Sequence, residues 1–403
     1  MSIRYLSSFL LFLLYSAFSS ALSIASQASF HVNLPVADPV ALTTVQYYKA
    51  DLDSLLRDPM FERSQVGIYV YDLTADSLVY SYNARQTLRP ASTQKVITSV
   101  TALQLLGPSY ELQTRLYIDS KGRVYVQGGY DPLLDNDDLK AFVKALRDEG
   151  ITSLSSPILL DNSFKDDNLR GWGWCWDDKT VPLSPLLYCN RDQFTTAFRK
   201  ALQNGGIQGD ISFEEGRVAG KARMISRRTH GICEVLEPMM KESDNSMAES
   251  VFYQIAAQSS QSPASGRRDA AKEVHRLIRE MGLNPKDYQI ADGSGLSLYN
   301  YATPELLVSF LRYAYHHENV YKALLESLPI AGKDGTLKHR MRDTPAWGNV
   351  CAKTGSVEGV STLAGYCTSS DGHRLCFSIM NQGLRHLSDG RKFQDCVCIR
   401  LCR

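Results

Sequence analysis

The stretch Val66-Gly67-Ile68-Tyr69-Val70-Tyr71, followed after Thr74-Ala75-Asp76 by Leu78-Val79-Tyr80-Ser81-Tyr82, reads as two β-strands and a turn. Residues 65–83 are therefore predicted to form a hairpin. Three more strands are predicted near the other end of the chain, at 349–353, 359–368 and 374–380, with Asp371-Gly372 as a tight-turn pair. Helical patterns fill the sequence between the two groups. One five-stranded antiparallel sheet assembled from both ends of the chain and flanked by helices defines an α+β fold.

Further inward, Leu139, Phe142, Val143 and Leu146 recur at helical spacing, as do Phe194, Phe198 and Leu202. These runs close at Gly150 and Gly205, and Ile158-Leu159-Leu160 reads as a short strand between them. Residues 108–225 are thus expected to form a smaller inserted α/β domain, dividing the main domain into 26–107 and 226–403.

The first 25 residues read differently. Arg4 precedes an uncharged apolar run from Leu6 to Phe18 and then the small residues Ser19, Ser20 and Ala21, the pattern of a signal peptide. The run is shorter than the ~20 residues that cross a bilayer, which disfavours the alternative of a retained anchor. The mature chain is expected to be periplasmic or otherwise exported, with no stable membrane insertion after cleavage. No cysteine precedes Cys175, so a lipid-modified N-terminus is not expected.

Composition excludes several classes. The 403 residues carry 44 Lys+Arg against 43 Asp+Glu, a net charge of +1, with no basic block suited to nucleic acid. Nine cysteines in an exported chain permit disulfides, with at least one thiol left over. The pairs to test first are Cys175 with Cys189 and Cys367 with Cys376. Cys396, Cys398 and Cys402 lack the C-x-x-C spacing of a zinc site and fall in a predicted C-terminal helix. His316-His317 reads as a solvated helix end. No metal or other cofactor is expected, and H-E-x-x-H, G-x-S-x-G and Walker A sequences are all missing.

Three segments carry chemistry. Pro90-Ala91-Ser92-Thr93-Gln94-Lys95 opens a helix with Val96, Val100 and Leu103 on one face. Residues three apart share a helix face, so Lys95 can reach Ser92 and, if buried and neutral, take its proton. On its own, Ser92 reads equally well as a helix N-cap. Ser243-Asp244-Asn245 lies between two helical runs, where Ser246 and Glu249 could form a capping box instead. Lys353-Thr354-Gly355-Ser356 closes the strand at 349–353, and its glycine would let a ligand backbone come close. A K-T-G triplet arises by chance only about 0.1 times in a chain of this length. S-x-x-K, S-D-N and K-T-G together are the signature shared by class A β-lactamases and penicillin-binding proteins.

The spacing selects a branch. Class A β-lactamases are shorter, place S-D-N soon after S-x-x-K, and carry a downstream E-x-x-L-N. Here about 150 residues separate Ser92 from Ser243, and this spacing makes the distinction, since an E-x-x-L-N match does occur at Glu280-Met281-Gly282-Leu283-Asn284. The chain instead resembles the D-alanyl-D-alanine carboxypeptidase/endopeptidase family of class C low-molecular-mass penicillin-binding proteins, peptidase family S13. Supporting segments are Thr101 to Pro108, Gly128-Gly129-Tyr130-Asp131-Pro132-Leu133, Gly171-Trp172-Gly173-Trp174-Cys175-Trp176-Asp177-Asp178, Asp292-Gly293-Ser294-Gly295-Leu296-Ser297 and Thr303-Pro304. The chain departs from the family in having room for one inserted domain where longer members carry two, and in Tyr130 replacing the usual Gly before Asp-Pro.

This resemblance implies acyl transfer through a serine ester. Ser92 would be the nucleophile, Lys95 the general base, Ser243 a proton relay, and Asn245 a holder of the donor peptide's amide. Lys353 and Thr354 would meet the substrate carboxylate. The backbone N–H groups of Ser92 and Ser356 would bind the oxyanion, beside Gly355, and Asp131 would recognise a free amine of the stem diaminoacid. Asp131 before proline also reads as a turn starter. Gly293-Ser294-Gly295 reads as a packed turn, and the tryptophans as packing and interdomain contacts. Implied partners are peptidoglycan stem peptides as substrates and β-lactams as covalent inhibitors. The alternatives are a β-lactamase or esterase on the same scaffold, or a non-catalytic peptidoglycan-binding protein.

Overall fold

The computed structural model describes residues 48–166, 168–178, 180–259 and 266–403. The expected signal peptide lies outside them. Among the described residues no helix is long and apolar enough to cross a membrane.

The main sheet runs in the order Cys351–Val357, Val360–Thr368, Arg374–Gln382, Gln65–Asp72, Ser77–Tyr82, all antiparallel. The sheet expected from the two ends of the chain is therefore present. Its junction is the ladder from Gln65↔Gln382 to Asp72↔Leu375. Because side chains alternate across a strand, this sheet serves two cores. Ile68, Val70, Leu363 and Phe377 share one with Phe393 and Val397 of the C-terminal helix Leu387–Leu401. Tyr71, Ala364, Tyr366 and Met380 share the other with a helical layer that includes Gln94–Leu106 and Asn245–Ser259. The helix Gln94–Leu106 is buried at every position from Gln94 to Leu103, so only its last turn, from Gln104, reaches solvent.

Two sequence expectations are corrected. The strand expected at 349–353 begins at Cys351 and continues to Val357, which puts Lys353-Thr354-Gly355-Ser356 inside the strand. Gly355 does not end it because the ladder continues through Gly355↔Thr362 and Ser356↔Ser361. The proposed disulfides are also not formed, and all nine cysteines are free thiols. Across their hairpin Cys367 opposes Leu375 while Cys376 opposes Tyr366. That one-residue offset sends the two thiols into opposite cores. Cys175 and Cys189 are fixed by separate contacts: the backbone N–H of Cys175 by the Asp178 carboxylate, and that of Cys189 by the Leu134 carbonyl.

A second sheet follows the order Phe213–Glu215, Ile158–Asp161, Val124–Gln127, Glu111–Ile118, Arg223–Gly231. Its core holds Phe142, Leu146, Phe198 and Leu202 from the helices Asn136–Asp148 and Phe194–Asn204. The strand Arg223–Gly231 leads directly into the helix Ile232–Lys241 and so returns the chain to the main helical layer.

The main sheet depends on the apolar side chains at its centre. Phe377→Ala is expected to cost about 3–5 kcal/mol, measured as a lowered midpoint of denaturant unfolding.

Candidate active site

Ser92 sits in a single 3-10 turn, Ala91–Thr93, that feeds the buried helix. The N-cap positions of these two elements are Pro90 and Thr93, and neither caps through its side chain, so Ser92 is not acting as an N-cap. Its hydroxyl accepts instead from Lys95 Nζ at 3.1 Å. Lys95 is fully buried, and Nζ also donates to Asn245 Oδ1 at 2.7 Å and to the Ser294 carbonyl at 2.9 Å. Burial holds the Lys95 amine down to about 8, although Asp292, Glu249 and Asp244 act in the opposite direction. An amine in that range can receive a hydroxyl proton near neutral pH.

The Ser243 loop is set by its middle residue. Asp244 Oδ1 accepts the N–H of Met247 at 2.9 Å and Oδ2 accepts from Asn190 Nδ2 at 2.8 Å. Asp244 thus caps the helix that begins at Asn245, and the capping box expected from Ser246 and Glu249 is not used. Ser243 itself takes a left-handed backbone, φ 63°, which is costly for a non-glycine residue and is held by the flanking helices.

The edge strand completes the cleft. Lys353 is fully buried, donates to the Thr354 carbonyl at 2.9 Å, and lies close enough to Lys95 to feel its charge. Burial first, and Lys95 second, push the Lys353 amine well below its ordinary range. A Cβ on Gly355 would lie 2.9 Å from both the Ser92 nitrogen and the Pro90 carbonyl oxygen, so only glycine lets the strand approach the Ser92 turn this closely. Ser92, Ser243, Thr354, Gly355 and Ser356 line one cleft of about 490 Å³. A larger cavity, about 600 Å³, lies by the helices Asn136–Asp148 and Phe194–Asn204. There Lys140 and Lys144 are already paired with Asp137 and Asp148. Among the described residues no group of three His, Cys, Asp or Glu side chains could hold a metal ion.

Asp131 lies apart from this cleft. It is 1% exposed, and its carboxylate is occupied by His230 Nδ1 at 2.7 Å and the Leu133 N–H at 3.0 Å. The turn-starter reading describes this geometry. Tyr130 beside it has φ 52° and stacks on Tyr253 at 4.6 Å, a contact between the inserted segment and the helix Asn245–Ser259.

Glu249 and Asp292, behind the cleft, hold the loop that meets Lys95, an arrangement that the sequence did not reveal. Glu249, fully buried, accepts the N–H groups of Gly293 and Ser294, at 3.2 Å and 2.8 Å through Oε1. Desolvation, assisted by Asp292, raises its carboxyl above the usual range. Asp292 accepts from Gly295 and Ser297 N–H, Asn300 Nδ2 and Trp174 Nε1. Together they aim the Ser294 carbonyl at Lys95. Gly295, at φ 82°, has the Ala91 carbonyl where a side chain would begin. Trp172 and Trp174 pack as expected, Trp172 tilted against Tyr299 at 5.0 Å, while Trp176 is 87% exposed.

Sheet, central helix and cleft together place the chain in the fold class of penicillin-binding protein 4. The protein belongs to the D-Ala-D-Ala carboxypeptidase 3 (S13) family, whose sequence profile matches residues 48–187 and 189–400. Among curated relatives, the D-alanyl-D-alanine carboxypeptidase DacB of Haemophilus influenzae is 26% identical over 78% of this chain and 85% of its own length. The D-alanyl-D-alanine carboxypeptidase of an Actinomadura species is 25% identical over 88% of this chain and 84% of its own. The crystal structure of penicillin-binding protein 4 from Haemophilus influenzae superposes with a TM-score of 0.77 at 23% identity, covering 87% of this chain and 97% of that one.

Removing the Glu249 carboxylate would leave two buried N–H donors without an acceptor. Glu249→Ala is expected to lose about 2–5 kcal/mol of stability and Glu249→Gln less, because the amide keeps one acceptor oxygen; chemical denaturation of the two variants checks both.

Proposed function

We propose that the chain is a serine-type D-alanyl-D-alanine carboxypeptidase, with D,D-endopeptidase chemistry at the same site, acting on peptidoglycan stem peptides after export through its N-terminal segment. The observation that carries this reading is the buried Lys95 amine bonded at once to Ser92 Oγ and Asn245 Oδ1.

The reaction follows from that contact. When Lys95 is neutral, the 3.1 Å contact reverses and Ser92 O–H donates to the amine lone pair. Ser92 Oγ attacks the carbonyl carbon of the penultimate D-alanine as its proton passes to Lys95. The resulting oxyanion is met by the backbone N–H groups of Ser92 and Ser356. Collapse breaks the C–N bond, and the departing amine of the terminal D-alanine receives a proton through the Ser243 hydroxyl. Asn245 Oδ1 is held by Lys95, leaving Nδ2 to donate to the donor peptide's carbonyl. Thr354 and Lys353 take the leaving residue's carboxylate. Water then hydrolyses the serine ester, restoring Ser92 and releasing the shortened peptide.

A β-lactam presents the same carbonyl in a ring, so its amine stays tethered after acylation and shields the ester from water. Fluorescent penicillin is expected to label the chain covalently, and Ser92→Ala to abolish labelling. Labelling that persists in the mutant would remove Ser92 from the nucleophile role. Incubation with purified peptidoglycan fragments should release D-alanine or split cross-links. Rapid turnover of penicillin without D-alanine release would favour a β-lactamase instead. Lys95→Ala should remain folded, by its circular dichroism and melting curve, and acylate at least about a hundredfold more slowly.

The pH dependence has a definite sign. The reactive form of Lys95 is the neutral amine, and its range is held down to about 8. The acylation rate should therefore climb about tenfold per pH unit below that value and level off above it, as measured by stopped-flow reaction with penicillin.

A further inference from the structure

The described binding groups leave one charge of the cleft unassigned. Three side chains that can carry positive charge line it beyond the Lys95 and Lys353 pair: His339, Arg340 and Arg391. Arg340 is already neutralised by Asp395, with an ion pair at 2.7 Å, and holds the C-terminal helix through the Arg391 carbonyl and Gln394. His339 Nδ1 pairs with Arg342 at 3.0 Å. Arg391 is different. No carboxylate pairs with it among the described residues, and its one side-chain hydrogen bond is from Nη2 to Ser356 Oγ, at 3.4 Å. The neighbouring acid, Asp389, is engaged by Ser388.

From these contacts we propose that Arg391 is a specificity-determining residue, binding the carboxylate on the carbon that bears the leaving amine, together with Thr354 and Ser356. This rests on the carboxypeptidase reading above and deepens it. The geometry favours an anion at this place. Thr354 Oγ1 donates to Thr336 Oγ1 at 2.8 Å on the same wall, so hydroxyls and a guanidinium converge with no acid among them. A guanidinium binds a carboxylate through a planar fork of donors, which a lysine cannot reproduce. It also supplies a permanent charge. Lys353 is buried and pushed well below its ordinary range, so its own charge depends on pH, whereas that of Arg391 does not. Arg391 lies on the exposed side of the C-terminal helix, so it is available to substrate and contributes little to the core.

The test uses two substrates that differ in one group: a diacetylated L-lysyl-D-alanyl-D-alanine with a free terminal acid, and the same peptide as its carboxamide. Charge-assisted hydrogen bonds of this kind are worth about tenfold or more in kcat/KM. Arg391→Gln should lose about that much on the acid and under about twofold on the carboxamide, with an unchanged melting temperature. Arg391→Lys should recover part of the loss. An equal loss on both peptides, or no loss on the acid, would overturn the assignment. A wild-type chain that cleaves neither peptide and takes up no fluorescent penicillin would instead overturn the carboxypeptidase reading on which the assignment rests.

Discussion

Everything at the cleft depends on keeping an ammonium or amine inside the protein at Lys95. Moving a lysine from water to a site with no exposure costs several kcal/mol unless its donors find acceptors. Here they find three, on three segments far apart in the chain: Ser92, Asn245 and Ser294. Each acceptor is itself held. Asn245 starts a helix capped by Asp244, and the Ser294 loop is bonded to Glu249 and Asp292. The Ser92 turn is gripped by two glycines, Gly355 and Gly295, whose missing side chains leave room for its backbone. Burial that would be a liability elsewhere lowers the proton affinity of the amine to a range where it can act as a base.

Much of this was legible in the sequence because it is local. Strand alternation in 65–83 and 359–380, helical spacing after Ser92, and the three short chemical signatures all depend on residues close together in the chain. What the sequence could not supply is set by distant partners. Glu249 looks like the last member of a capping box, and only the position of residues 293–294 against it turns it into a buried acceptor. Cys367 and Cys376 look like a cross-hairpin pair, and one residue of register separates them. Asp131 carries a carboxylate that could meet a substrate amine, and His230, nearly a hundred residues later, already occupies it. Arg391 belongs to no signature, since its relation to Ser356 exists only when the C-terminal helix packs on the sheet.

The long excursion between Ser92 and Ser243 is joined to the loop behind the cleft by specific bonds. The Asp292 carboxylate, 2% exposed, has room for about four hydrogen bonds. Three come from its own loop, through Gly295, Ser297 and Asn300, and the fourth is the indole N–H of Trp174, supplied by the excursion at 2.9 Å. Ser297 Oγ returns the contact by donating to the Trp172 carbonyl at 2.7 Å. Without the indole, one acceptor site on a buried carboxyl group would be left unfilled, in a loop whose carbonyl accepts from Lys95. Residues 171–174 therefore contribute to the placement of the Lys95 amine through Asp292 and Ser297, without hydrogen bonds of their own to Lys95 or Ser92. A cleft assembled this way couples any displacement of residues 171–174 to the position of Ser294, and through Ser294 to the Lys95 amine.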